Sequence, residues 1–131
     1  MNYDKLVSYL NELPESELDY PFGPEVAVFK VKHKMFALVS NYQNRLSVNL
    51  KCDPQEALEL RDIFDDVIAG YHMNKRHWNT VFVDGDLPEG EVFRQIDASF
   101  ALVVKKLPSV QRKAMELAYS PQLLYKGLRY P

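Results

Sequence analysis

The sequence predicts an α+β fold in which helices pack on one face of an antiparallel sheet. Two observations favour this class. Stretches with the two-residue alternation of a strand follow one another in a run of three and a run of two, separated by short turns. Stretches with helical spacing precede, separate and follow those runs, which gives the order α-β-β-β-α-β-β-α-α. Strands joined by short turns pair in an antiparallel way, and such a sheet can leave one face open to solvent.

The first 19 residues are predicted to hold an amphipathic helix and the start of a connector. Apolar residues recur at helical spacing over residues 2–13, and Pro14 ends the helix because a proline nitrogen cannot donate to the preceding turn. The stretch PESELDYPFGPE contains three prolines and one glycine, which is typical of a loop. It is predicted to connect the helix to the first strand.

Three strands are predicted next, in a meander. Residues 25–34 alternate, KMFALVSN continues as a second strand after a tight turn near His33 and Lys34, and RLSVNLKC forms a third. These strands should supply the sheet's side of the core. Ala27, Phe29 and Val31 share one face of the first strand, and the inward positions of the third strand are Leu46, Val48 and Leu50.

The second half of the chain is predicted to hold a hairpin between helices. Asp53 followed by Pro54 is a typical start for a helix that extends to residue 64. Residues 67–75 and 77–84 are predicted to be strands, and helices follow over 88–107 and 109–119, separated by Pro108. Residues 120–131 are an apolar and basic tail without clear periodicity. The whole chain, 1–131, is predicted to be a single domain.

The composition argues against several classes of protein. Apolar residues make up 47% and charged residues 26% of the chain, as in ordinary globular proteins. No apolar run is long enough to span a bilayer and no secretory leader is visible, so we expect a cytoplasmic protein without membrane contact. The lone Cys52 cannot form an internal disulfide and is predicted to be a small core residue.

No pattern of residues predicts catalysis or cofactor binding. The chain lacks the glycine-rich loops that bind phosphate groups, and no glycine elbow surrounds Ser40 or Ser99. His72 and His77 are five residues apart, a spacing that matches neither one face of a strand nor one face of a helix. We therefore predict a non-enzymatic protein with no catalytic residue, no metal site and no cofactor.

Positive charge is concentrated in two segments, although the formal net charge is -2 and the isoelectric point is about 5.9. Residues 26–52 carry five cations and no acid, and residues 67–83 carry two cations and no acid. The acids lie mainly in other blocks, with six in residues 53–66. The local potential can therefore be positive on a chain that is acidic overall.

These cations make DNA the predicted partner. Alternate lysines along one strand project from the same face about 7 Å apart, close to the phosphate spacing of a nucleic-acid strand. The second hairpin is predicted to carry two cations and a histidine at its turn, positioned by an asparagine and a tryptophan. The predicted binding residues are Lys30, Lys32, Lys34, Asn74, Lys75, Arg76, His77 and Trp78.

Two alternatives are open at this point. Lys30 and Lys32 can instead be solvent-facing residues that protect an edge strand from aggregation, and Trp78 can be a core residue. The chain can also be a protein-interaction or chaperone-like module, in which the open sheet face or the tail contacts a partner or a second copy in a homodimer. The large apolar side chains of the tail are Leu123, Leu124, Tyr125, Leu128 and Tyr130.

Four segments resemble one known family. They are YPFGPEVAVFKVKHKMFAL, LSVNLKCDP, GYHMNKRHWNTVFVDGDLP and IDASFALVVKKLP, and together they span about residues 20–112. These segments are similar to those of the MmcQ/YjbR family, and HMNKRHW followed by DGDLP is the most distinctive. The resemblance implies a CyaY-like (frataxin-type) or secretion-chaperone-like α+β fold. It also implies DNA binding through a double-wing arrangement of β-hairpins, which we expect to be weak and largely independent of sequence.

Overall fold

A computed structural model describes residues 1–128 and contains a six-stranded sheet in the order β1-β2-β3-β4-β6-β5. The strands are β1 Glu17–Asp19, β2 Ala27–Val31, β3 Lys34–Tyr42, β4 Arg45–Lys51, β5 Val67–Ala69 and β6 Trp78–Phe82. The helices are α1 Tyr3–Asn11, α2 Pro54–Ile63, α3 Glu89–Lys105, α4 Ser109–Ala118 and α5 Pro121–Tyr125. Every pair of neighbouring strands is antiparallel, so the predicted α+β class is confirmed.

The main core lies between one face of the sheet and the helices. The face of β2 that carries Ala27, Phe29 and Val31 is buried there, as are the inward positions predicted for β4, with Leu46 partly buried at the edge. Each helix contributes at least one buried apolar side chain to the same core, for example Leu10 of α1 and Met115 of α4. The opposite face of the sheet carries no helix in the described part of the chain.

Two short elements are added to the predicted order. β1 lies inside the predicted connector and pairs with β2, with Glu17 opposite Lys30. Its three residues are all exposed, so no apolar alternation marks it in the sequence. α5 lies in the predicted tail, where Ser120 accepts a hydrogen bond from the Leu123 N–H and Pro121 occupies the first turn.

The lengths predicted for the second hairpin are wrong. β5 ends at Ala69 rather than at residue 75, and β6 begins at Trp78, so residues 70–77 form a loop, called the 70–77 loop below. The chain runs close to β6 where this loop begins, because a Cβ added to Gly70 would lie 2.8 Å from the Trp78 carbonyl oxygen. His72 has a φ of 57°, which a continuous strand does not allow.

A bulge in β3 and the buried Ser99 of α3 fix the end of β4. Phe36 has no partner in β2, where the register shifts, and its ring packs edge-on against Phe100 with centroids 5.3 Å apart. The Ser99 hydroxyl donates to the Phe36 carbonyl oxygen at 2.6 Å and accepts from the Lys51 N–H at 2.9 Å. Ser99 therefore satisfies two backbone groups at the bulge and ties α3 to the last residue of β4.

The described part of the C-terminal tail packs on its own domain. Leu124 is only 1% exposed and belongs to the main core. The backbone at Gly127 approaches α3 so closely that an added Cβ would lie 2.1 Å from the Ala98 nitrogen, so only glycine fits there. Residues 120–128 therefore complete the core, whereas Tyr130, also predicted to belong to the tail, lies outside the described residues.

Candidate nucleic-acid interface

The predicted cationic segments meet at one end of the sheet. Antiparallel pairing brings together the end of β2, the start of β3, the end of β4 and the start of β6. The Cys52 N–H, just after β4, donates to the His77 carbonyl oxygen at 2.8 Å, so the 70–77 loop joins this end. We call this surface the basic end and define it by the cations Lys34, Lys51, Lys75, Arg76 and Lys106.

Two of the predicted phosphate contacts are already engaged by carboxylates. Lys30 Nζ lies 3.0 Å from Asp19 Oδ2, and Lys32 Nζ lies 2.8 Å from Glu15 Oε1. The hydrogen bond to Glu15 raises the pKa of Lys32, and the hydrogen bond from Lys30 lowers the pKa of Asp19. The predicted row of three free lysines is therefore corrected: Lys30 and Lys32 are paired, and Lys34 begins the next strand.

Lys34 instead belongs to a cluster of three lysines. It is the first residue of β3, Lys51 is the last residue of β4, and Lys106 caps the C-terminus of α3. Within residues 1–128, none of the three has a carboxylate partner. Burial lowers the pKa of Lys51, and the positive charges of Lys106 and Lys34 lower it further. Lys51 therefore lies close enough to both Lys34 and Lys106 for the like charges to repel it.

The 70–77 loop presents a second group of cations. Asn74 Oδ1 accepts a hydrogen bond from the Arg76 N–H at 3.0 Å, a local turn that sets the tip of the loop. The Arg76 side chain is exposed and makes no ion pair within residues 1–128. Lys75 Nζ donates to the Gly70 carbonyl oxygen at 3.2 Å, and His77 is partly buried. Arg76 is thus the side chain of this loop that is best placed to meet an anion.

Arg61 of α2 anchors the base of the loop. Its Nε donates to Asn79 Oδ1 at 2.7 Å, and its Nη2 donates to the Trp78 carbonyl oxygen at 3.3 Å and also to the Lys75 carbonyl oxygen. Asn79 in turn donates to the Ala57 carbonyl oxygen at 3.3 Å. Arg61 escaped prediction because it is the single cation of an acidic block, and only the fold brings it to the loop.

Trp78 is buried rather than displayed. Its side chain is 9% exposed and packs with Val28 and Leu38 in a small apolar cluster on the face opposite the main core. Met73 of the 70–77 loop packs against the same cluster. This burial supports the interpretation of Trp78 as a core residue that supports the loop, rather than a platform on which bases stack.

The remaining side chains that could act as a nucleophile or bind a metal are either unreactive or too far from one another. Burial raises the pKa of the Cys52 thiol to about 12, and the charges of Glu56 and Asp53 act in the same direction, so the thiol stays protonated near neutral pH. In the part of the chain that is described, no three His, Cys, Asp or Glu side chains lie close enough together to hold a metal ion. No helix there has the length and apolar character needed to cross a bilayer.

The chain is similar to known proteins over most of its length. The relative named YjbR from Escherichia coli K12 is 35% identical over 115 residues, which cover 88% of this chain and 98% of the relative. The relative named YbdF from Escherichia coli O157:H7 is 41% identical over 102 residues, which cover 78% of this chain and 84% of the relative. Both are named as uncharacterised proteins.

Solved structures agree with these relatives. The crystal structure of Deinococcus radiodurans protein DR2400 matches with a TM-score of 0.78 at 38% identity and covers 86% of each chain. A Pseudomonas syringae protein matches with a TM-score of 0.70 at 28% identity, over 78% of this chain and 98% of that one. The model of the YjbR family matches residues 11–102, and the chain therefore belongs to the YjbR family.

Proposed function

We propose that the protein is a non-enzymatic protein that binds DNA weakly and with little sequence preference, and that the basic end is its contact surface. The observation that carries the proposal is the lysine cluster of Lys34, Lys51 and Lys106, which has no carboxylate partner within residues 1–128. Ammonium groups held together repel one another, and phosphate oxygens would relieve that repulsion. Arg76 and Lys75 add positive charge at the same end of the sheet, where they lie against the first turns of α2.

The proposed contacts differ from those predicted from the sequence. Lys51 and Lys106 are added because they share a surface with Lys34. Lys30 and Lys32 are left out because carboxylates already neutralise them. In the 70–77 loop and at Trp78, which begins β6, we assign phosphate contacts to three residues and a positioning role to two. The contact residues are Lys75, Arg76 and His77, and the positioning residues are Asn74 and Trp78.

Weak binding follows from the charge balance. The net charge of -2 means that any DNA must approach the basic end while the acidic helices face away. Contacts to phosphates alone carry no sequence information. Complexes of this kind have dissociation constants of about 10⁻⁴ to 10⁻⁶ M at physiological salt.

Replacing Arg76 with glutamate should weaken binding to a fluorescently labelled DNA duplex by roughly 30-fold at low salt. One attraction is lost and one repulsion is gained, each of about 1 kcal/mol for charges about 4 Å apart in water. Because the side chain is exposed and makes no ion pair in the described residues, the free energy of unfolding should change by less than about 0.5 kcal/mol. Fluorescence anisotropy measures the affinity and thermal unfolding measures the stability.

Lys5→Glu is the matched control for Arg76→Glu. It changes the net charge equally but lies on α1, where Lys5 pairs with Glu89 at the opposite end of α3 from Lys106. Exposed charges more than about 10 Å apart are largely screened at 0.1 M salt. DNA affinity should therefore be nearly unchanged in this control. Unaltered binding by Arg76→Glu, or an equal loss in both variants, would contradict the proposed surface.

A protein-interaction module is the second candidate function, and one observation favours it. Val110 and Leu117 of α4 are 83% and 90% exposed, and their spacing places them on the same face of the helix. The tail gives this candidate less support, because residues 120–128 pack on their own domain. Association through apolar side chains would be insensitive to salt, whereas DNA binding weakens steeply as salt rises, so a salt series separates the two functions.

A further inference from the structure

A groove of about 650 Å³ lies on the sheet face that carries no helix. Its floor is made by β3 and β4, and its walls are residues 22–26 on one side and the 70–77 loop on the other. This volume falls within the range of about 300–1,000 Å³ that is typical of small-molecule sites. None of its lining residues is lysine or arginine, so it differs in charge from the basic end.

The wall formed by the 70–77 loop is fixed by side chains of the sheet. The Tyr71 N–H donates to Thr80 Oγ1 at 2.9 Å, and Asn49 Nδ2 donates to the Tyr71 carbonyl oxygen at 3.3 Å. The Tyr71 ring stacks on Tyr42 and contacts the His72 ring, with both pairs of centroids 4.0 Å apart. A wall that is ordered in advance lowers the entropy cost of binding a ligand.

The lining combines apolar surface with free polar groups and one acid. Within residues 1–128, neither the Ser40 hydroxyl nor the Asn41 amide makes a side-chain hydrogen bond, and the Glu25 carboxylate has no cationic partner. Phe22 is 61% exposed, and its ring can attract a cation as well as pack on an apolar group. The groove therefore favours a positively charged ligand over a negatively charged one. Its apolar lining residues are Phe22, Val26, Leu38 and Met73.

We propose that this groove binds a small organic ammonium compound with an aromatic body. The aromatic body packs between Phe22 and the apolar floor near Leu38, and the amino group pairs with Glu25. The Ser40 hydroxyl, on the same face of β3 as Leu38, supplies a further hydrogen bond to the ligand. This inference does not depend on DNA binding, because it uses no residue of the basic end.

The test compares three indole compounds of similar size: tryptamine, which is cationic, tryptophol, which is neutral, and indole-3-acetate, which is anionic. Binding is measured by calorimetry at about pH 8, where histidine side chains are ordinarily neutral. Tryptamine should bind about fivefold more tightly than tryptophol, the ratio expected of one exposed ion pair. Indole-3-acetate should bind most weakly.

Glu25→Gln should abolish the preference for tryptamine and leave tryptophol affinity unchanged. The matched control is Glu12→Gln, an exposed acid that follows α1 on the helix side of the sheet, and it should keep the preference. The proposal is overturned if no compound binds at millimolar concentration, if the anion binds as tightly as the amine, or if Glu25→Gln keeps the preference.

Discussion

Replacing Lys34, Lys51 and Lys106 together with glutamine should weaken binding to duplex DNA by roughly 100-fold at low salt. Each lysine in contact with a phosphate contributes about 1 kcal/mol at an exposed site, and three such losses multiply in the affinity. The dependence on salt should change as well, because the slope of log affinity against log salt becomes shallower by roughly 0.9 for each phosphate contact removed. Fluorescence anisotropy across a salt series measures both effects.

The same triple variant should remain folded. Lys34 and Lys106 are exposed, and glutamine keeps much of the length of each stem. The pKa of Lys51 is lowered from the ordinary value of 10.5 by burial and by its two neighbours, so the folded state holds this proton less tightly than the unfolded chain. The charged form of Lys51 therefore lowers the free energy of unfolding near neutral pH, and this destabilisation disappears as pH rises toward 10.5. A neutral side chain should leave thermal stability at neutral pH unchanged or slightly higher.

The control for this triple variant removes three cations from the helix side of the molecule. There, Lys5 lies 2.6 Å from Glu89 of α3, Arg112 lies 3.7 Å from Glu116 of α4, and Lys126 lies 3.7 Å from Asp97 of α3. Replacing all three with glutamine changes the net charge by the same amount. We expect only a small part of the 100-fold loss of DNA affinity in this control, because salt screens charges on the helix side from DNA bound at the basic end. Equal losses in the two variants would mean that net charge, and not the basic end, governs binding.

Trp78→Ala should lower the free energy of unfolding by about 3–5 kcal/mol, the usual cost of truncating a buried tryptophan. The indole fills the small cluster with Val28 and Leu38 and supports Met73 of the 70–77 loop, so its removal leaves a cavity on that face of the sheet. Urea denaturation followed by circular dichroism measures the loss. The milder Trp78→Phe keeps an aromatic ring in the cluster and should lose less than half as much.

The pattern of stability and binding in Trp78→Ala also decides between two roles for the indole. A core role predicts a large loss of stability, with DNA affinity reduced only as far as the 70–77 loop is disturbed. Lost binding with unchanged stability would contradict the burial seen here, and would assign Trp78 to stacking against bases.

Much of the fold could be predicted because local signals agree with tertiary structure. The alternation in β2 and β4 marks their buried positions, and Asp53 with Pro54 marks the start of α2, where the Asp53 side chain accepts from two backbone N–H groups. β1 could not be predicted, since a short exposed edge strand has no apolar pattern. Residues 70–75 have the composition of a strand, and only the left-handed backbone at His72 and the packing of Met73 on Trp78 make them a loop.

The candidate site could be predicted only in part. Basic segments in the sequence identified Lys34, Lys75 and Arg76, but local spacing cannot show which lysines meet acids. Lys30 and Lys32 pair with Asp19 and Glu15 of the connector. No pattern in the sequence indicates that the connector runs alongside β2. Lys51 and Lys106 lie far apart in the chain and come close because α3 packs on the sheet, where Ser99 also bonds to the end of β4.

The most direct test of the basic end is an NMR titration of isotope-labelled protein with a short DNA duplex. Adding DNA should change the amide chemical shifts of residues 33–35, 51–53, 74–77 and 105–107. These changes should become smaller as salt is raised, because phosphate contacts are lost. The amides of α1 and of the groove floor should stay in place. An absence of shifts at low salt, or shifts confined to the helix side, would contradict DNA binding at the basic end.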